Sequence, residues 1–224
     1  MIRVVPLRYL FFPLLLLCIT QSAYAYVPLH IEETDLKDVK LISNPEVIQS
    51  YYGQLHYFPY TFEIRAERPF RLKVQILAPD VSETQNNLSG IIVREVEGSG
   101  RVEEVTRLPA QSASWDPTYE WLSGDHYRAG PSFDGEVKAG VYHIEVSTPE
   151  NLGKYILAVG YHKGNGHTGY VETLHNIMAV KAFLEKPPFM IIESPLIYLP
   201  LLSIFGIIFF FGYLRMRKVR MDML

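Results

Sequence analysis

Phe70-Arg71-Leu72-Lys73-Val74-Gln75-Ile76 alternates apolar and polar residues without a break, and Phe62-Glu63-Ile64-Arg65-Ala66 does the same a few positions earlier. A period of two belongs to a strand with one face on a core and the other in water. Glu67-Arg68-Pro69 between them is short and holds a proline, so the two runs read as a hairpin. Further stretches of the same kind lie near residues 90–96, 101–108, 118–122, 126–137, 141–147 and 154–161, punctuated by Gly98, Gly100, Pro109, Gly124, Gly140 and Pro149. Short strands repeating over about 110 residues predict a mainly β fold, an antiparallel β-sandwich of jelly-roll type, with no helix needed inside it.

Working outward, the sandwich is expected over residues 55–161, with an N-terminal extension over 26–54. Within Asn44 to Tyr60 the chain is dense in aromatics (Tyr51, Tyr52, Tyr57, Phe58, Tyr60), and this segment is expected to be a strand that lids one end of the sandwich. Past the last strand the period changes. Val171, Leu174, Ile177, Met178 and Leu184 fall on one helical stripe, which predicts an amphipathic helix over 168–185. Lys181 interrupts that stripe. Either the helix packs on the sandwich despite it, or the lysine extends towards lipid head groups. The linker 186–195, stiffened by Pro187 and Pro188, is too short to let the domain stray from the C-terminal segment.

That segment, Leu196 to Leu214, reads LIYLPLLSIFGIIFFFGYL and carries no charge. As a helix it is about 28 Å long, enough to cross a hydrocarbon layer of about 30 Å with little tilt. Ser194 is placed to cap this helix and Pro195 suits its first turn. Pro200 removes one backbone hydrogen bond inside it. Tyr198 and Tyr213 fall near its two ends, and the tail 215–224 opens with Arg215, Arg217, Lys218 and Arg220, which by the positive-inside tendency stays in the cytoplasm. At the other end, Arg3 and Arg8 precede the apolar run Tyr9 to Ile19, succeeded by Ala23-Tyr24-Ala25. Residues 1–25 therefore read as a secretory signal cut after Ala25, since an eleven-residue apolar core rises only about 16 Å.

The expected location is a cell membrane, with one span, the domain outside the cytoplasm and the C-terminus within. The charge balance agrees with a non-nucleic-acid role. Residues 26–190 hold 15 Lys and Arg against 22 Asp and Glu, which is the wrong sign for neutralising phosphates. Neither phosphate-cradling glycine motif occurs, so no nucleotide is expected. The one cysteine, Cys18, lies within the signal, so disulfides, zinc-thiolate sites and cysteine catalysis drop out together. No cofactor is called for.

Gly140-Val141-Tyr142-His143-Ile144-Glu145-Val146, with Gly153-Lys154-Tyr155-Ile156-Leu157-Ala158-Val159-Gly160 after it, resembles the closing strands of bacterial pre-peptidase C-terminal-type β-sandwich domains. Tyr60 to Ile64 and Leu72 to Asp80 are similar to the opening strands of the same domains. The resemblance covers roughly residues 55–161 and implies a sandwich fold. The chain departs from that family in having no protease beside the domain and in carrying its own apolar C-terminal segment. As a whole it also resembles single-pass, membrane-anchored envelope proteins of bacteria and archaea, a likeness that implies no activity.

Both tryptophans fall in one acid-rich stretch: Trp115, Asp116, Tyr119, Glu120 and Trp121, with Asp125 close behind. A flat apolar ring beside carboxylate acceptors matches a sugar, so this stretch is the candidate binding surface. The alternative is that its aromatics cover one end of the core. The same acids, with Asp134, suit calcium through oxygen ligands. His162, His167, Glu172 and His175 cluster further on, and Glu172 and His175 at i, i+3 share a helix face, a weak metal-ligand set. No nucleophile, base and orienting group assemble from motifs. The leading expectation is therefore a membrane-anchored extracytoplasmic binding or accessory module for a protein or glycan partner. The rival is an extracytoplasmic hydrolase or metal-dependent enzyme using the 115–134 acids or the 162–175 histidines.

Overall fold

The computed structural model describes residues 27–30, 39–80, 86–163 and 169–222. The expected signal, residues 1–25, and His167 lie outside these. Among the described residues, eleven strands form two sheets. In chain order they are β1 (Val27–His30), β2 (Lys40–Ile42), β3 (Gln49–His56), β4 (Tyr60–Ala66), β5 (Phe70–Pro79), β6 (Ser89–Val96), β7 (Arg101–Leu108), β8 (Asp116–Glu120), β9 (Asp125–Val137), β10 (Gly140–Ser147) and β11 (Leu152–Val159). One sheet runs β1-β3-β11-β5-β9-β8 and the other β2-β4-β10-β6-β7. Every pairing is antiparallel except the two parallel edge pairs β1 with β3 and β2 with β4.

Alternation dictates the core. Phe70, Leu72, Val74, Ile76 and Ala78 of β5 all point inward and are buried, as are Phe62 and Ile64 of β4 and Tyr142, Ile144 and Val146 of β10. In β11 the alternation fails, because Tyr155, Ile156 and Leu157 are buried in succession. Tyr155 and Leu157 enter the main core, whereas Ile156 faces the other side of the sheet. There it joins Tyr52, Tyr127 and the helix α1 (Tyr170–Phe183), whose Val180 covers them together with Leu184.

The eight strands expected from alternation are all present, and the sandwich reaches further towards the N-terminus than residue 55. β3 lies inside a sheet, between β1 and β11, and does not lid an end; β2 extends the opposite sheet. The helix too is turned relative to its expected stripe. Thr173, Ile177, Val180, Lys181 and Leu184 are buried, while Val171 and Met178 are exposed. Lys181 thus sits in the middle of the buried face and does not extend towards lipid.

After α1 the chain makes a tight reversal with Glu185 in the left-handed region (φ 57°). The N–H of Glu185 bonds the Ala182 carbonyl and that of Lys186 bonds the Lys181 carbonyl, a Schellman-type stop. A 3-10 turn (Pro188–Glu193) leads into α2 (Pro195–Asp222). Residues Pro195–Met216 of α2 are long and apolar enough to cross a membrane, and Leu202, Phe205, Ile208, Phe209 and Phe211 are exposed around it. Helix α2 continues through the basic residues as far as Asp222.

Candidate functional site

The acid-rich stretch divides into residues that build the fold and residues that face outward. Trp115 is 6% exposed and belongs to the main core. Its backbone is left-handed (φ 56°), which turns the indole inward, and its Nε1–H donates to the Ala110 carbonyl at 3.0 Å. Gly130 leaves the space for it, since a Cβ there would come within 2.6 Å of the indole. Asp116 accepts a hydrogen bond from the Ser114 hydroxyl. Glu120 ties off the β8–β9 turn: its two carboxylate oxygens accept the N–H groups of Leu122 (3.0 Å) and Ser123 (2.7 Å). Tyr119 and Trp121 are exposed, with the Tyr119 ring 5.0 Å from that of His126.

Asp125 is fully buried, at the first position of β9. One oxygen of its carboxylate accepts both Lys181 Nζ (2.9 Å) and Lys186 Nζ (2.6 Å). Lys181, itself 1% exposed, also donates to Glu193 at 2.8 Å. Two ammoniums and two carboxylates are thereby shared between the β8–β9 hairpin, the end of α1 and the turn before α2. Isolated burial of such charges is prohibitive, and pairing is what makes it tolerable. The negative charge of Asp125 also acts on Tyr127, whose hydroxyl is pushed well above the usual tyrosine range, mainly by burial and then by that carboxylate.

Two further contacts fasten the same place. Ser194 donates to the Leu122 carbonyl at 2.6 Å while its Oγ accepts the Leu196 N–H at 3.3 Å, so one hydroxyl both caps α2 and binds it to the hairpin. Gly124, with φ of 76°, lies so close to Glu193 that an added Cβ would come within 2.6 Å of the Glu193 carbonyl oxygen. No sequence pattern marks Lys186, Glu193, the close approach of Gly124 to Glu193 or the hairpin role of Ser194. The one available signal is Lys181 itself, because a lysine on a buried helical face requires a buried counter-ion.

Of the histidine set, His162, Glu172 and His175 are described, and these three do not converge. Glu172 and His175 are exposed on α1, and His162 is exposed beside Val47, its carbonyl accepting the Ile48 N–H. Among the described residues no group of His, Cys, Asp or Glu is arranged to hold a metal ion. Asp134, on the outer side of β9, is engaged by Arg71 at 2.7 and 3.0 Å, and the guanidinium holds its carboxyl below the ordinary range.

The concavities lie elsewhere. A groove of about 330 Å³ runs over the outer face of the first sheet beside α1, lined among others by Ser50, Tyr52, Gln75, Thr118, Tyr119 and Tyr161. Ser50 Oγ is buried there with no hydrogen-bond partner among the described residues. A second cavity, of about 760 Å³, opens between the hairpin turns at the end of the sandwich opposite Asp125, lined among others by Arg65, Glu67, Arg94 and Arg101.

The fold and this joint define an antiparallel β-sandwich fastened to a long apolar C-terminal helix. Solved structures to which the chain is similar include the pre-peptidase C-terminal domain of a collagenase from Bacillus anthracis, at 9% identity over 57% of this chain and 98% of that one, TM-score 0.34. They also include the Yersinia pseudotuberculosis-derived mitogen, at 13% identity over 55% of this chain and 92% of that one, TM-score 0.35. No protein-family model and no curated protein matches the chain.

Proposed function

We propose that the chain is a membrane-anchored extracytoplasmic module that presents its sandwich at a set attitude to a protein or glycan partner close to the bilayer. In this reading residues 1–25 direct export and are removed, Pro195–Met216 crosses the membrane and the basic tail stays in the cytoplasm. The observation that carries it is the joint. A domain tethered only to keep it local needs no more than a loose linker. Here the linker is fixed to the β8–β9 hairpin by an ion cluster centred on the buried Asp125 and Lys181, and by the Ser194 hydroxyl. Such fixing serves a module whose orientation matters to what it meets. The groove beside α1, with tyrosine rings along polar Gln75 and Thr118, is the surface this reading assigns to the partner.

Two experiments test the reading in its two parts. Protease treatment of intact cells or right-side-out vesicles expressing the full chain should remove the sandwich and spare the anchor and tail; full protection of the sandwich contradicts the topology. A photo-crosslinking residue in place of Gln75 should then give one dominant adduct in native membranes, absent when the crosslinker replaces Glu104 on the other sheet. Equal, diffuse labelling from both positions contradicts the assignment of the groove.

A further inference from the structure

Exposed aromatic side chains are not scattered over this molecule. Outside α2, the described tyrosines, tryptophans and phenylalanines that are exposed are Tyr57, Phe58, Tyr119, Trp121, Tyr170 and Phe189. The strand register puts them at one end. Trp121 sits in the β8–β9 turn, next to Leu122, whose carbonyl takes the Ser194 hydroxyl one residue before α2 begins. Tyr119 pairs with His126, a position away from that turn. β9 is antiparallel to β5, β5 to β11 and β11 to β3, with His56 opposite Leu152, so the turn after β3 that carries Tyr57 and Phe58 emerges at the same end. Tyr170 donates its hydroxyl to the Leu196 carbonyl at 2.8 Å, in the first turn of α2. Phe189, 71% exposed, and exposed Ile192 lie on the 3-10 turn that leads into it.

We infer that this end of the sandwich is a lipid-contacting face, in which Trp121, Tyr170 and Phe189 form an aromatic collar around the start of the span and Tyr57 and Phe58 extend it across the domain. The inference rests on the proposed membrane anchoring and adds a second contact to it. Rings with one apolar face and a polar edge gather at the level of head groups, where neither water nor hydrocarbon alone satisfies them. The collar residues are held at the level of residues 189–196 by the Tyr170 and Ser194 hydrogen bonds, and the ion cluster prevents the hairpin from lifting away. The joint orients the sandwich on its helix but leaves that helix free to tilt and turn in the bilayer, whereas an interfacial face restrains both height and tilt.

The chain's two tryptophans make the test direct, because Trp115 is in the core and Trp121 is 50% exposed. The full chain is placed in lipid nanodiscs, and emission is compared with that of Trp121→Phe, which supplies the Trp115 baseline. The expected result is that lipids brominated near the head-group end of their chains quench the Trp121 part of the emission, while aqueous acrylamide quenches it only weakly. Strong acrylamide quenching with no effect of the brominated lipid overturns the collar. Phe209→Trp in the Trp121→Phe background reports the span separately, through lipids brominated deep in the chain. Quenching there with none at Trp121 leaves the anchor standing and removes the collar; absence of quenching at both positions removes both.

Discussion

Lys181 Nζ lies 2.9 Å from the Asp125 carboxylate, and both residues are buried, one on the helix after the sandwich and the other at the first position of the longest strand. The pair is the centre of a joint in which Lys186 and Glu193 complete the charge balance and Ser194 adds a neutral hydrogen bond. Its energetic weight comes from an asymmetry. Making a buried pair gains little over a hydrophobic substitute, but breaking one strands a charge.

Asp125→Ala removes the shared acceptor of two ammoniums, one of them fully buried, and is expected to cost roughly 3–5 kcal/mol of stability. The double variant Asp125→Leu with Lys181→Met should recover a large part of that loss. Denaturant unfolding of the detergent-solubilised chain measures both; a loss below about 1 kcal/mol in the single variant, within the range of exposed pairs, contradicts a buried joint.

Trp115→Ala and Trp121→Ala should separate cleanly. The first empties a core site and loses the hydrogen bond to Ala110, for an expected loss of roughly 3–5 kcal/mol. The second changes an exposed side chain and should leave stability within about 0.5 kcal/mol. Thermal melting of the two variants side by side decides between an inward and an outward indole at each position.

Tyr155 stands opposite Gly53 in the β3–β11 ladder, and its ring occupies the space that a side chain at Gly53 would need. Its hydroxyl is buried without a hydrogen-bond partner among the described residues. Tyr155→Phe removes that uncompensated group and is expected to raise stability by about 1 kcal/mol, whereas Gly53→Ala should lower it by forcing the ring aside. A destabilised Tyr155→Phe in chemical denaturation contradicts an uncompensated hydroxyl.

Burial pushes up the pKa of three core tyrosines: Tyr51 to about 12, Tyr127 and Tyr155 further still. In the unfolded chain each loses its proton near pH 10, while the folded chain keeps it, so the native state binds more protons above about that pH. Stability is therefore independent of these groups below about pH 10 and falls as pH rises beyond it. Urea midpoints recorded on the alkaline side should drop steeply for the wild type and less steeply for Tyr127→Phe.

Most of the sandwich is legible in the sequence because half-buried strands alternate, and residues 62–66 and 70–76 do so strictly. A strand is expected across β3 but its place inside a sheet is not, since Tyr51 serves the main core and Tyr52 the layer beneath α1, so neighbouring residues are both buried and no alternation assigns the strand a face. The short parallel edges β1 and β2 hold too few residues to show any period. The acid-rich stretch stands out in the sequence, but its residues cannot be sorted there. Sequence shows that Trp115 and Trp121 are neighbours, whereas only the left-handed backbone at Trp115 and the gap at Gly130 send one inward. Asp125 reads as an acid beside aromatics, while its partners Lys181 and Lys186 are more than fifty residues away and no local pattern joins them.

The proposed module works only if the sandwich is held at one attitude to its anchor. In a Cys18→Ser background, spin labels at Glu97→Cys, in the hairpin turn far from the joint, and Tyr213→Cys, near the far end of the span, report the distance between them in nanodiscs by pulsed electron resonance. A rigid joint gives one narrow distance distribution. A broad or multi-peaked distribution in this otherwise native chain contradicts a fixed attitude.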